Sequence, residues 1–493
     1  MSRYCRLPQA ITIALLAGLA VRATASPVQL SYADAQLRFE RASGALGAAA
    51  ADVSASELDA ASVNTLGRPV VGVSAQVIEY QKTLGLDLTG TREAAGNAIN
   101  NFLGSLPDQF PPEFGSIVAQ VTDKISAALP GTLGVIPDTL RYQTRETVFR
   151  PTVTAAVPLY TGGAIPAAKA GARAGVDAAR AKAGTTRNLS DVRLAAAYFG
   201  VQLADQLSVT AQTALTGLNQ YLHDARAMER EGVLAHANVL MVEVARDAAA
   251  RAVDRSARDQ QIAMQTLAQL VDVAGGVAVT TPLFVNRGAL LPMQTYVAAA
   301  LGDNPMILGA AAAQKLAGAG SAMARSRQLP QAYAFAEYSF NPTNAIPIDP
   351  DWIVGVGVRY TLLSGSDRAK ALAAARMRER AASEATREAR TTVEIETSRS
   401  YAIVDNARRA YLLLDTNIAA AQENLRVQQI AFREGESTIT ALLDARTSLS
   451  LAQSQRAAAA FEYDLALVAL LAASNRSHEF ASYFEAADRM IVP

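Results

Sequence analysis

Cysteine, histidine and net charge are all scarce in this chain. One cysteine, Cys5, and three histidines, His223, His236 and His478, stand among 493 residues. No disulfide framework can form, and a Cys- or His-rich metal site lacks ligands. His223 and His236 lie 13 positions apart on opposite arms of an expected hairpin, with no third ligand, and read as solvated helix residues. The 45 basic and 45 acidic residues cancel, so neither a basic footprint for nucleic acid nor an acidic tail is present. Aromatics make up only 6% of the chain, although half of it is hydrophobic. Alanine supplies that apolar excess; it favours helix and buries little area per residue. Broad helix contacts are therefore expected rather than one large globular core. No phosphate-cradling GxxxxGK[ST], nucleophile-elbow GxSxG or HExxH occurs. No catalytic residue, cofactor or metal site is assigned, and an enzyme is not expected.

Long apolar runs are also missing, with one exception at the N-terminus. Arg3 and Arg6 precede the stretch Ile11 to Val21, and Ala23-Thr24-Ala25 forms a small-x-small site. Residues 1–25 read as a secretory signal peptide. The apolar stretch is shorter than the roughly 20 residues that a spanning helix needs. If the rest of the chain enters a membrane, it must do so as strands.

The remainder repeats one plan. Leu46 to Ala51 (LGAAAA) recurs at Leu308 to Ala313, an offset of 262. Arg230-Glu231-Gly232 recurs as Arg433-Glu434-Gly435, an offset of 203, at which Tyr198 also meets Tyr401 and Gly162 meets Gly365. The two offsets differ by 59, so the first copy carries an insertion between its two strands. The expected elements are helix 31–66, strands 70–80 and 148–160, and a long helical hairpin 166–230 and 237–273. The second copy has helix 304–328, strands 332–340 and 352–362, and a hairpin 367–433 and 438–473. Residues 26–275 thus form a first repeat, with an inserted loop 89–143, and 304–475 a second. Residues 276–303 and 476–493 read as collar segments. A helix of about 65 residues is about 100 Å long and needs coiled-coil neighbours. Leu442, Ala445, Leu449 and Ala452 supply such a seam.

Alternation in Trp352 to Leu362 places Trp352, Val354, Val356, Val358 and Tyr360 on one face, opposite Ile353, Gly355, Gly357 and Arg359. An apolar face with aromatic ends and a small or polar opposite face describes a lipid-facing barrel strand. The earlier strand keeps the phase, with Phe149, Pro151, Val153, Ala155, Val157 and Leu159 outward. A half-buried soluble sheet is the competing reading. Four strands cannot close a barrel, so several chains must share one.

Val157-Pro158-Leu159-Tyr160-Thr161-Gly162-Gly163, Phe432 to Thr438 (FREGEST) and Leu442-Leu443-Asp444-Ala445 are the most specific segments. In this order the chain resembles the TolC-like outer-membrane efflux proteins over most of its length. The resemblance implies a mainly α homotrimer with a small β part. Its trimeric α-helical barrel lies in the periplasm of a Gram-negative bacterium and continues into a shared 12-stranded β-barrel in outer-membrane lipid, four strands per chain. It implies an exit duct for a tripartite efflux pump or type I secretion system, passive, with a periplasmic adaptor and an inner-membrane transporter as partners. It places a gate at Asp444 and Asn238, where many relatives carry acids at both positions, and an acid is absent at Ala441. Ser437 and Phe432 replace the basic and phenolic partners of the relatives' closed-state lock. Arg230, Glu231, Gly232, Arg433, Glu434 and Gly435 become candidate adaptor-docking residues. The alternatives are a periplasmic adaptor, which needs lipoyl-like halves around a single hairpin, and a trimeric adhesin with one terminal barrel segment.

Overall fold

The computed structural model describes residues 27–106, 115–135, 137–340 and 350–491. The expected signal peptide, 1–25, lies outside the described residues. In chain order the elements are β1 (Val28–Leu30), α1 (Tyr32–Ala42), α2 (Gly44–Val63), β2 (Val70–Asp87), α3 (Thr89–Ser105), α4 (Gly115–Leu133), β3 (Thr139–Tyr160), α5 (Ala164–Arg230) and α6 (His236–Leu270). They continue as β4 (Val277–Val279), β5 (Leu283–Val285), α7 (Met293–Asp303), α8 (Pro305–Ser326), β6 (Gln331–Ser339) and β7 (Trp352–Arg359). The chain closes with α9 (Arg368–Arg433), α10 (Ile439–Ala473), a short 3-10 turn (Ser477–Glu479), α11 (Phe480–Glu485) and β8 (Arg489–Ile491). These elements divide into two compact units.

The helical unit holds α1, α2, α5 to α11 and four short strands. Its long helices are 67 and 66 residues and return through helices of 35 residues each. Small residues let them approach closely: a Cβ on Gly184 of α5 would lie 2.9 Å from Pro305 of α8, and one on Gly309 of α8 would lie 3.5 Å from Ala181 of α5. The expected single helix over 31–66 is two helices. Ser43 ends α1 and caps α2, accepting a hydrogen bond from the Leu46 amide at 3.4 Å.

The main core of this unit gathers Tyr198, Phe199, Phe284, Tyr296, Tyr463 and Leu467, all fully buried. β1 pairs in parallel with β4, and β5 pairs antiparallel with β8. The Tyr198 hydroxyl donates to the Leu30 carbonyl at 2.7 Å and accepts from the Thr281 amide at 2.9 Å, tying both flanks of that parallel pair to α5. Residues 276–303 hold β4, β5 and α7.

The second unit is a four-stranded antiparallel sheet in the order β2-β3-β6-β7, with α3 and α4 inserted between β2 and β3. Its first two strands are longer than the sequence suggests. β2 and β3 pair without interruption from Val70 opposite Ala156 to Asp87 opposite Thr139. Residues 139–143, expected within the inserted loop, are therefore strand. Helix α4 runs past Pro130 to Leu133. At the other end β7 stops at Arg359, short of the expected Leu362. Its partner Gln331 follows Pro330, which has no amide hydrogen with which to extend the ladder. A bulge between Pro158 and Tyr160 marks the second proline in β3.

Candidate functional site

The sheet is two-faced, and the register fixes which residue belongs where. One face carries Val71, Val73 and Val77 of β2, then Val153, Ala155 and Val157 of β3, which register opposite Tyr338, Ala336 and Ala334 of β6. Val354, Val356 and Val358 of β7 complete it. Val73, Val77, Val354, Val356 and Val358 are each about 70% exposed, an apolar surface that water would not leave open. Trp352 stands opposite Tyr338, whose ring meets Phe340 edge-on at 5.1 Å. At the other edge of the band lie Tyr160 and Tyr360, both about half exposed. Tyr360, assigned to the strand by its alternation, falls immediately after it.

The opposite face is polar or small. Ser74 and Thr152 hydrogen-bond at 2.8 Å, and Arg150 pairs with Glu337 at 2.9 Å. Gly357 and Gly355 sit beneath the rings of Tyr333 and Phe335; an added Cβ would lie 2.6 Å and 2.9 Å from them. Aromatic rings there fill the space above glycine, a device that stabilises a strand with little side chain of its own. The sheet edges are β2 and β7.

In the helical unit the two hairpins share a tip. Both turns end their long helix in the same hydrogen-bonded motif. The Gly232 and Gly435 amides donate to the carbonyls of Glu229 (2.9 Å) and Phe432 (3.1 Å), and the Val233 and Glu436 amides to those of Met228 (2.9 Å) and Ala431 (2.7 Å). Both glycines hold positive φ, 75° and 77°, which the motif requires and side chains disfavour. Arg230, Glu231, Arg433 and Glu434 flank them and are exposed. Behind the turns the hairpins fuse into one cluster that includes Leu218, Leu222, Val242, Leu425, Phe432 and Leu442. Phe432 is buried in it at 3% exposure.

Polar links span the hairpins. Gln429 of α9 donates to the Tyr221 hydroxyl of α5 at 2.5 Å, and Arg433 lies 3.7 Å from Asp224 of α5. Arg446 of α10 turns to the Thr213 carbonyl of α5 and lies over Gly217, with its Nε unpartnered; burial pulls its pKa down. Asp444 is exposed and Asn238 half-buried near this tip. Tyr221, Asp224 and Gln429 have no sequence signal, because their pairing joins helices far apart in the chain.

Among the described residues no cluster of acids, histidines or cysteines could hold a metal ion, and no helix is long and apolar enough to cross a membrane.

Residues 297–476 match the family model described as outer membrane efflux protein. The fold is similar to VceC, an outer membrane protein of Vibrio cholerae, at 15% identity and a TM-score of 0.67, over 90% of this chain and 95% of that one. It is similar to the open state of the Neisseria gonorrhoeae MtrE outer membrane channel at 16% identity and a TM-score of 0.65, over 90% and 89%. The Campylobacter jejuni CmeC outer membrane channel gives 11% and 0.68, over 99% and 98%. No curated protein sequence matches the chain. The second half of the chain thus matches the outer membrane efflux protein model, and the fold as a whole is similar to that of outer membrane channels. The family model and these neighbours are all described as outer membrane proteins.

Proposed function

We propose that three copies of the chain close a 12-stranded barrel and continue it as a helical tube that conducts substrates passively out of the cell. The observation that carries this reading is the two-faced sheet with two open edges. Its valine face suits hydrocarbon and its Arg150–Glu337 face suits water. In lipid an unpaired strand edge is not tolerated, so β2 and β7 must be paired by other copies. Three such sheets reach twelve strands, above the roughly eight needed for closure.

The hairpin tips are the periplasmic end of this duct. Arg230, Glu231, Gly232, Arg433, Glu434 and Gly435 present two like turns to a periplasmic adaptor, through which an inner-membrane transporter of an efflux or type I secretion system supplies the energy. Asp444 and Asn238 line the constriction. The Tyr221–Gln429, Asp224–Arg433 and Arg446–Thr213 links hold the tips together and part when they open, a packing switch of discrete states.

The test is assembly and conductance. Protein extracted from outer membranes in detergent should run as a trimer by native mass spectrometry and conduct ions in planar bilayers. A water-soluble, folded monomer would overturn the proposal and favour the adaptor reading.

A further inference from the structure

The apolar band of the sheet ends well before the β2–β3 ladder does. Val77 opposite Phe149 is its last pair on that face. Next on the same face come Glu79 and Arg145, ion-paired at 2.8 Å and both more than half exposed. The ladder then runs on, in unbroken register, to Asp87 and Thr139. From Val77 to Asp87 the strand rises about 33 Å, or about 23 Å along the membrane normal at a 45° tilt. A headgroup layer is only about 5–8 Å thick.

Helices α3 and α4 follow directly on this extension. Leu103 is buried, and a Cβ on Gly96 of α3 would touch Leu133 of α4 at 3.3 Å, so the two helices pack on one another. A second apolar surface is left over. Ile117, Val121 and Ile125 recur every fourth residue on one side of α4, and Ile99 and Phe102 stand out from α3; Phe102 and Ile117 are each 61% exposed. The ladder sets the root of these helices about 15 Å beyond the headgroups, away from lipid. That root is β2, the edge strand that a neighbouring copy must pair.

We infer that the α4 stripe docks on the inserted helices of neighbouring copies, so that the helix pairs of the three chains form a packed helical collar at the external mouth. This rests on the trimeric reading above. The insertion begins at the subunit boundary and rises beside its neighbour's. Such a collar narrows the exit from outside, independently of the periplasmic tips.

Single-cysteine chains test this in purified trimers reconstituted in liposomes. With Cys5 replaced by serine, Val121→Cys lies on the stripe and Asp123→Cys on the opposite side of the same helix. Val121→Cys should react at least tenfold more slowly with a water-soluble maleimide, and oxidation should join subunits through it. Equal rates at the two positions would overturn the inference. So would protection of Val121→Cys accompanied by quenching of a bimane label there by nitroxide lipids, which would make lipid the occupant. Gel mobility of the unheated sample reports the trimer separately. Loss of the trimer in both variants removes the duct reading along with the collar, whereas an intact trimer with an open stripe removes the collar alone.

Discussion

The hydroxyl of Tyr221 and the side-chain amide of Gln429, 208 positions apart, meet at 2.5 Å and join the first helical hairpin to the second. A single neutral hydrogen bond contributes about 0.5–1.5 kcal/mol, enough to shift a two-state tip about two- to tenfold. Tyr221→Phe should therefore leave the fold intact and raise the time spent in the higher-conductance state. Combining it with Asp224→Ala should raise it further. Single-channel recording checks both; unchanged conductance in the double variant counts against these links as a lock.

The two tip glycines make a second case. Gly435→Val forces a β-branched residue to φ 77°, at a cost of about 1–2 kcal/mol or more. Trimers should persist, because the turn lies outside the packed cluster, while efflux falls. Gly435→Asn should be milder, since asparagine tolerates that conformation. Drug susceptibility beside a trimer blot gives the readout, and full efflux in the valine variant would argue against docking through this turn.

The barrel wall makes an asymmetric prediction. Val356→Arg places charge on the lipid face and should cost about 2–4 kcal/mol, depleting trimers in the outer membrane. Thr154→Arg, on the opposite face beside Glu337 in register, should assemble nearly normally. Comparable loss in both would show that the faces are misassigned. Gly357→Leu should also fail, because its side chain would collide with Tyr333, and Tyr333→Ala should partly restore it.

Asp464 is fully buried between α10 and β5, where one oxygen accepts the Phe284 amide at 3.3 Å and the other has no partner. Burial raises its pKa well above the usual carboxylate range. A carboxyl raised in the folded state stabilises most at pH below its unfolded value, and that stability is lost as pH climbs through the folded one. At neutral pH Asp464 is thus a burden. Asp464→Asn keeps an acceptor for Phe284 and should melt higher than the native protein at pH 7.5, with the gap closing towards pH 4. A constant gap across that range would refute this titration.

Much of this was readable from residues and much was not. Trp352 to Val358 alternate cleanly because the strand has one apolar face and one small or polar face, and the tip turns declare themselves through glycine. Ser43 offered a capping signal that an alanine-rich run concealed. The polar stretch after Tyr80 has no alternation to betray a strand; its structure comes from pairing with β3. Gly357 under Tyr333, Arg446 over Gly217 and the unpartnered oxygen of Asp464 depend on register and crossing geometry, which no local pattern encodes.

The near-identity of the two long helices, 67 and 66 residues, each returning through 35, has a mechanical corollary. The two arms differ in length by one helical step of about 1.5 Å, so three chains would present six knuckles of like reach rather than three. An insertion in α5 alone would lift every other knuckle and swing it by about 100°, tilting the rim; a matching insertion in α9 should level it again.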